Sequence, residues 1–218
     1  MKRIQLFEFE DFDWFPTTLR STMTKIIAVL LKLMGAKEVV ANLLSAIKKK
    51  HPFSQVVDLG SGSGGIMPTV VAHLNEQDTD ASIDLLLTDL HPNQAFVQSF
   101  NNADNANMTY SPMAVDASNL SAAPAGLKTM VNSFHHMPPN IAKKILTTAQ
   151  ANKQAFLVYE MAENKPPTIV WAILLPLGLV ITAIMAIVLV PFVKPLHWKD
   201  LLFTWLIPIV PIFYAWDG

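Results

Sequence analysis

The sequence predicts an α/β fold, with a parallel sheet that carries helices on both faces. Three features of the 218-residue chain support this prediction. Short apolar strands alternate with helical stretches over residues 51–165, a glycine-rich turn follows the first strand, and polar residues follow the next strands. We expect a separate N-terminal helical cap over residues 1–50 and hydrophobic helices, transmembrane or re-entrant, over residues 166–218.

Two helices are predicted in the N-terminal cap. Apolar residues recur at helical spacing over Thr17–Met34 and again over about Lys37–Lys50, where His51 and Pro52 end the second helix. The run that precedes them, residues 6–16, holds four phenylalanines and a tryptophan among acidic residues. This aromatic run is either a strap that packs its rings on the protein or a lid that excludes water from a site.

The alternating pattern begins after the cap and predicts five strands with helices between most of them. In a parallel sheet of this kind the ligand binds at the carboxyl ends of the strands, near the point where the strand order reverses. The predicted strands are Gln55–Leu59, Ser82–Thr88, Thr109–Val115, Lys128–Asn132 and Ala155–Glu160, and the predicted helices are Gly65–Asn75, Asn93–Asn102 and Asn140–Asn152.

A glycine-rich loop follows the first strand. Four glycines stand among the six residues 60–65, and a residue without a Cβ lets main-chain N–H groups approach a ligand closely. Asp58, beside this loop, would repel a pyrophosphate and attract a ligand that carries an ammonium group. The combination favours S-adenosylmethionine over a dinucleotide as the ligand.

The same glycines also satisfy the dinucleotide fingerprint Gly60-x-Gly62-x-x-Gly65, which keeps an NAD(P)-dependent oxidoreductase as an alternative. Two observations count against it. Asp58 places a negative charge where a pyrophosphate would lie, and Asp89 lies 29 residues after Gly60, later than the usual interval of about 20 for the ribose-binding acid.

Polar residues follow four consecutive strands: Asp58, Asp89, Asp116 and Asn132. Aspartate and asparagine also commonly open loops and helices as caps or Asx turns, and each of the four residues has that alternative role. Their occurrence at corresponding strand ends, beside a glycine loop, favours a ligand site.

These residues resemble the class I S-adenosylmethionine-dependent methyltransferases over about residues 50–162, beginning with Asp58-x-Gly60-x-Gly62-x-Gly64. The resemblance implies a Rossmann-like sheet, an N-terminal helical lid, and a loop that holds the methionine end of the cofactor. It also implies that Asp89 takes the ribose hydroxyls and that Asp116 reads the adenine amino group. The residues that it assigns to cofactor binding are Asp58, Gly60, Ser61, Gly62, Gly64, Asp89, Leu90, Asp116, Ala117 and Asn132.

Three residues are candidates for acid–base chemistry. Methyl transfer from a sulfonium needs no metal, and no metal site is predicted, but a hydroxyl or acidic-carbon acceptor benefits from a base. His135 and His136 qualify because histidine can be neutral near pH 7, and Glu160 ends the fifth predicted strand. Adjacent histidines generally point in different directions, so we expect at most one to face a site, and the alternative is a loop histidine bonded to backbone.

The charge distribution separates the last 53 residues from the rest. Of 33 charged residues, 29 lie in the first 165 positions. The net charge of −1 gives no sign of a nucleic-acid partner, and the absence of cysteine excludes disulfides, cysteine-ligated zinc and thiol catalysis.

Residues 168–193 carry no charge and would form a helix of ~39 Å, against a hydrocarbon layer of ~30 Å. The second apolar run, residues 201–216, contains two prolines and is short for a crossing, so it is re-entrant, interfacial or a second span. We expect a membrane protein whose sheet domain faces the cytoplasm. Lys194 and Lys199, between the two apolar runs, would lie on the far side of the membrane if the first helix spans it, which mildly opposes the positive-inside tendency. A re-entrant hairpin that bends at Pro176 and Gly178 would remove that conflict.

Together these features predict a membrane-associated methyltransferase that uses S-adenosylmethionine and a small-molecule or lipid-like acceptor, with the lipid bilayer as a partner. The alternative of another class is a catalytically silent S-adenosylmethionine-binding membrane protein. Class I domains normally add two strands after the fifth, whereas here a hydrophobic segment follows. We therefore expect a truncated form whose missing strands lie beyond Gly218.

Overall fold

The computed structural model of the chain describes residues 7–78, 82–161 and 167–217. The chain divides into two compact units, which we call the sheet unit, Leu31–Met161, and the apolar unit, which joins Met1–Leu30 to Ala162–Gly218. The division falls inside the first helix, so the cap predicted over residues 1–50 is shared between the units. The predicted domain boundary near Lys165 and Pro166 lies outside the described residues.

The sheet unit contains five strands that are all parallel, in the order β3-β2-β1-β4-β5. This is the order of the first five strands of a doubly wound sheet, and it reverses between β1 and β4, where such sheets bind ligands. The predicted α/β class with a parallel sheet is therefore confirmed. The strands are β1 (Gln55–Leu59), β2 (Asp84–Thr88), β3 (Met108–Tyr110), β4 (Leu127–Val131) and β5 (Phe156–Tyr159).

Helices cover both faces of the sheet. From β1 the chain crosses to β2 in one direction and later crosses from β4 to β5 in the other, and right-handed crossovers then place the connecting helices on opposite faces. On one face, Ile145 and Ala149 pack with Val57, Leu59 and Met130 in a buried cluster. The helices of this unit are α2 (Ala36–Lys50), α3 (Met67–Gln77), α4 (Gln94–Asn102) and α5 (Pro139–Ala151), numbered after α1 of the apolar unit.

The third strand is shorter than the sequence predicts. It was expected over Thr109–Val115, but the strand ends at Tyr110 because a turn follows it. Pro112 has no N–H for a ladder, and the Ser111 hydroxyl accepts a hydrogen bond from Met113 N at 3.1 Å. As a consequence Asp116 lies in a loop, and the expectation that it directly follows a strand is wrong.

The apolar unit is built from the first helix and the C-terminal segment. α1 (Thr17–Leu33) presents Leu19, Met23 and Ile26 along one face, and these residues form a buried cluster with residues of α6 and α8. The C-terminal elements are α6 (Thr168–Leu189), α7 (Trp198–Leu201), a π-helical turn (Leu202–Leu206) and α8 (Ile209–Asp217).

One described helix is long and apolar enough to cross a membrane. Thr168–Phe192 has a mean hydropathy of 2.9, and only 17% of its apolar window is buried. The α6 helix continues through Pro176 and Gly178, so the bend considered for a re-entrant hairpin is not found at these residues. The second apolar run consists of two helical pieces that meet at 85°, with Pro208 at the break.

A buried ion pair joins α1 to the C-terminal segment within the apolar unit. Lys25 Nζ lies 2.5 Å from Asp200 Oδ2, and both side chains are 3–4% exposed. Asp200 also accepts hydrogen bonds from Thr22 Oγ1 at 2.6 Å and from His197 N at 2.8 Å, and Lys25 donates to the Pro195 carbonyl at 3.2 Å. Each buried charge is thus compensated mainly by the other.

Removing one partner of this pair should lower the free energy of unfolding far more than removing both. We expect Lys25→Met or Asp200→Leu alone to lower the free energy of unfolding by about 3–5 kcal/mol, because an uncompensated buried charge remains, while the double variant loses much less. All five tryptophans lie in the apolar unit, so tryptophan fluorescence during denaturation in detergent micelles reports on it. A double variant whose loss equals the sum of the two single losses would contradict this expectation.

Candidate functional site

The loop at the carboxyl end of β1 requires glycine at defined positions. Gly60 and Gly64 adopt φ values of +73° and +92°, which residues with a side chain rarely adopt. A Cβ at Gly60 would lie 3.1 Å from the Ser133 side chain, and one at Gly64 would lie 3.3 Å from the Phe96 ring. The predicted glycine motif therefore forms a tight turn between neighbouring strand ends.

Three backbone N–H groups of this loop are directed at acceptors within the protein. Ser61 N donates to the Thr88 carbonyl at 2.9 Å, and Gly64 N donates to the Ser61 carbonyl at 2.8 Å. Gly62 N donates to Asp89 Oδ2 at 2.8 Å. A pyrophosphate cradle requires such N–H groups to point at the ligand, and these three do not.

Asp58 lies beneath the loop and holds it to the next strand. Its carboxyl group is 3% exposed and accepts hydrogen bonds from Ser61 Oγ and Thr129 Oγ1, each at 2.7 Å. Burial raises the pKa of Asp58 to about 6, the two hydroxyl hydrogen bonds oppose that rise, and the nearby Asp89 charge adds to it. Asp58 therefore shapes the loop from below.

The Gly62 peptide is held on both sides. Asp89 accepts a hydrogen bond from its N–H, and the Tyr110 hydroxyl donates to its carbonyl at 2.7 Å. The second oxygen of Asp89 accepts from His91 N at 2.8 Å. Tyr110 is 1% exposed and packs edge-on against Phe96, so its hydroxyl is fixed beneath the loop.

Three further residues that the resemblance assigns to cofactor binding lie in different environments. Leu90 follows Asp89 and is 51% exposed. Asp116 is exposed and accepts from the N–H and the hydroxyl of Ser118, both at 2.8 Å, which is the Asx turn that the sequence left open as its alternative role. Ala117 is 8% exposed and belongs to the core, so its side chain supports this loop.

The end of β4 is tied to its neighbours through Asn132 and Ser133. Asn132 has φ +53°, donates its N–H to the Tyr159 carbonyl at 2.7 Å, and accepts from Met161 N at 3.4 Å. Ser133 Oγ donates to the Leu59 carbonyl at 3.2 Å. The loop that begins at Asn132 is thereby attached to the strand ends on both sides.

Glu160 organises the histidine turn. Its Oε1 accepts from Phe134 N at 2.8 Å and from His135 N at 3.2 Å, and its Oε2 lies 2.7 Å from His135 Nδ1. The structure thus brings two of the three predicted acid–base candidates together as a histidine–carboxylate pair. The rings of His135 and His136 lie 4.4 Å apart between centroids, so the expectation that they point in different directions is wrong. Glu160 holds the His135 ring through its Nδ1 atom, and the tight turn places the His136 ring beside it.

Sequence reasoning missed the hydroxyl groups that assemble this site. Thr129 is the register partner of Asp58 and Thr88 that of Leu59 in the sheet. A threonine next to buried apolar residues in each strand was a usable signal for both. Tyr110 gave no such signal, because its contact with Gly62 spans 48 residues and depends on how α4 and β3 pack.

A comparison of the chain with protein-family models and with curated proteins found no match. The chemistry of the site is therefore inferred from the side chains and backbone groups themselves.

The raised pKa of Asp58 predicts a specific pH dependence of stability. Between about pH 4 and pH 6 the folded protein keeps a proton on Asp58 that the unfolded chain has released, so the free energy of unfolding falls as the pH rises through this window. The loss is at most about 3 kcal/mol. Carbon-13 NMR of the Asp58 carboxyl should give the pKa directly, and Asp58→Asn should flatten this part of the stability profile. An Asp58 pKa near 4 would contradict the assignment.

Tyr110→Phe should loosen the glycine loop without unfolding the sheet. The variant leaves the part-buried Gly62 carbonyl without this donor, at a cost of about 1 kcal/mol. Amide hydrogen exchange of a peptide covering residues 59–66 should become faster. Tyr214→Phe, which alters a buried tyrosine of the apolar unit, is the matched control and should leave this peptide unchanged. Equal exchange in wild type and Tyr110→Phe would show that the hydroxyl does not hold the loop.

Proposed function

We propose that this chain is a membrane-anchored, S-adenosylmethionine-dependent methyltransferase that acts on a small-molecule or lipid-like acceptor. One observation carries the proposal. At the carboxyl end of β1, beside the point where strand order reverses, the loop turns three N–H groups inward and is flanked by the carboxyl groups of Asp58 and Asp89. Such a loop suits a cationic ligand with hydroxyl groups and is poorly suited to a pyrophosphate.

The residues present fit this cofactor. Asp58 and Asp89 supply negative potential for a sulfonium and an ammonium group. Each oxygen of Asp89 already accepts one hydrogen bond, and a carboxylate oxygen has a second lone pair with which it can accept from a ribose hydroxyl. The exposed Leu90 side chain offers an apolar surface to a flat base. A contact of the adenine amino group with Asp116 belongs to the same proposal.

S-Adenosylmethionine supplies an activated methyl group on a sulfonium when it is bound. The protein has to orient the acceptor and remove its proton. His135 is the proposed base: with Nδ1–H donated to Glu160, its Nε2 carries the lone pair that takes a proton from an acceptor hydroxyl or acidic carbon. Glu160 stabilises the imidazolium that results, and Asn132 holds the start of this loop between the two strand ends.

The lipid-facing part of the proposal is supported by α6. Its large apolar side chains are exposed along most of its length, and a soluble protein rarely exposes so much continuous apolar surface. A bilayer would remove this apolar surface from water, and anchoring in a bilayer favours a lipid-like acceptor. A sheet unit on the cytoplasmic side completes the proposed arrangement.

Titration calorimetry of the full chain in detergent micelles tests the cofactor. We expect S-adenosylmethionine to bind and NADH not to bind. Asp89→Ala should weaken that binding by about 1–3 kcal/mol, roughly 5- to 150-fold. The matched control is Asp84→Ala, which removes an exposed carboxylate from the opposite end of the same strand. Selective binding of NADH would overturn the proposal in favour of an oxidoreductase.

Transfer of a labelled methyl group into a lipid extract then tests activity. Wild type should yield a labelled product, and His135→Gln should lower the rate with little change in cofactor affinity. Glu160→Gln should lower the rate less and shift its pH profile, because the histidine loses its charged partner. Cofactor binding without labelled product in any fraction would favour the catalytically silent alternative.

A further inference from the structure

The α2 helix carries an exposed apolar stripe on the sheet unit. Val39 and Leu43 are 45% and 37% exposed, and Ala46 continues the same line at helical spacing. The opposite face of α2 is buried through Val40, Ala41 and Leu44, and the helix packs on α3. Leu33, the last residue of α1, and Met34, in the turn before α2, are even more exposed, at 69% and 59%. Three exposed apolar residues at helical spacing on α2, preceded by two more just before the helix, are more than isolated exposed side chains.

Lysines lie at both ends of this stripe. Lys50 falls on the same line as Leu43 and Ala46, Lys49 is adjacent, and Lys32 precedes the exposed turn; all three are exposed. The single acidic residue of α2, Glu38, is paired with Lys37 at 3.3 Å. Lysines in a last turn also complement the helix macrodipole, but that role accounts for neither the apolar stripe nor Lys32.

We propose that this surface, formed by Lys32–Met34, Val39, Leu43, Ala46, Lys49 and Lys50, lies in the headgroup region of an anionic bilayer. An apolar stripe bordered by lysines is the pattern of a helix that lies in the membrane interface. The apolar residues enter the boundary between headgroups and acyl chains, and the lysines contact anionic phosphates.

Chain continuity favours a bilayer over a protein partner. The proposed surface begins at Lys32, two residues after the last α1 residue of the apolar unit, and α1 runs through that boundary as one helix. The inference rests on the proposed membrane anchoring by α6. It adds that the sheet unit has its own contact with lipid.

The absence of cysteine allows a direct test with single-cysteine labels on the full chain. Leu43→Cys is labelled with a polarity-sensitive fluorophore in nanodiscs of neutral phosphatidylcholine or of phosphatidylcholine with anionic phosphatidylglycerol. Leu146→Cys is the matched control, since Leu146 is a 47% exposed leucine on α5 of the same unit, without an apolar stripe. Ile184→Cys, from the exposed face of α6, reports the anchor.

We expect the label at position 43 to shift to the blue and to lose severalfold of its quenching by iodide in anionic nanodiscs, while the label at 146 stays aqueous. Replacing Lys32, Lys49 and Lys50 by glutamine should return the label at 43 to water. An aqueous label at 43 together with a lipid-buried label at 184 would overturn the interfacial surface alone. An aqueous label at 184 would overturn the membrane anchoring by α6, on which the interfacial surface rests. Equal burial of the labels at 43 and 146 would reveal unspecific adsorption and would also overturn the interfacial surface.

Discussion

The conformation of the glycine loop depends on the buried carboxyl group of Asp58. A buried carboxyl is costly unless hydrogen bonds replace its lost hydration, and Ser61 and Thr129 provide them. The same two bonds join the end of β1 to its own loop and to β4. The Thr88 hydroxyl adds a bond from β2 to the Asp58 carbonyl at 2.8 Å. Three strands are therefore fixed relative to one another at the edge where the ligand would bind.

With the loop fixed in this way, three of its N–H donors are used inside the protein, and the carboxyl groups of Asp58 and Asp89 lie next to it. Asp89 fixes the Gly62 peptide from one side, and Tyr110 fixes it from the other. Glu160 plays a comparable part at the neighbouring strand ends, where one carboxylate holds both the backbone and the ring of His135. Each of the two loops is thus organised by an acidic side chain, and this arrangement favours cationic and hydroxyl-bearing ligands over anions.

Local patterns in the sequence predicted most of the elements, because strand alternation and helical periodicity are properties of neighbouring residues. The partners of those elements were not predictable in the same way. Thr129 lies 71 residues from Asp58, and Asp200 lies 175 residues from Lys25, so both pairs depend on register and packing that no local pattern encodes. The predicted length of the third strand was wrong for a local reason, since the turn at Ser111 and Pro112 ends the strand early. The pairing of His135 with Glu160 required knowing that β4 and β5 are neighbours.

The claim that the glycine loop serves a cationic, hydroxyl-bearing cofactor is tested most directly by measuring its backbone amides with ligand added. Hydrogen exchange at Ser61, Gly62 and Gly64, followed by NMR on the full chain in micelles, reports whether these N–H groups keep their protein acceptors. If the loop serves a cationic, hydroxyl-bearing cofactor, saturating S-adenosylmethionine shifts the NMR signals of these residues while all three amides stay protected from exchange. Faster exchange of these amides on addition of NADH, with no signal shifts on addition of S-adenosylmethionine, would show that the loop opens to cradle a pyrophosphate and would contradict this prediction.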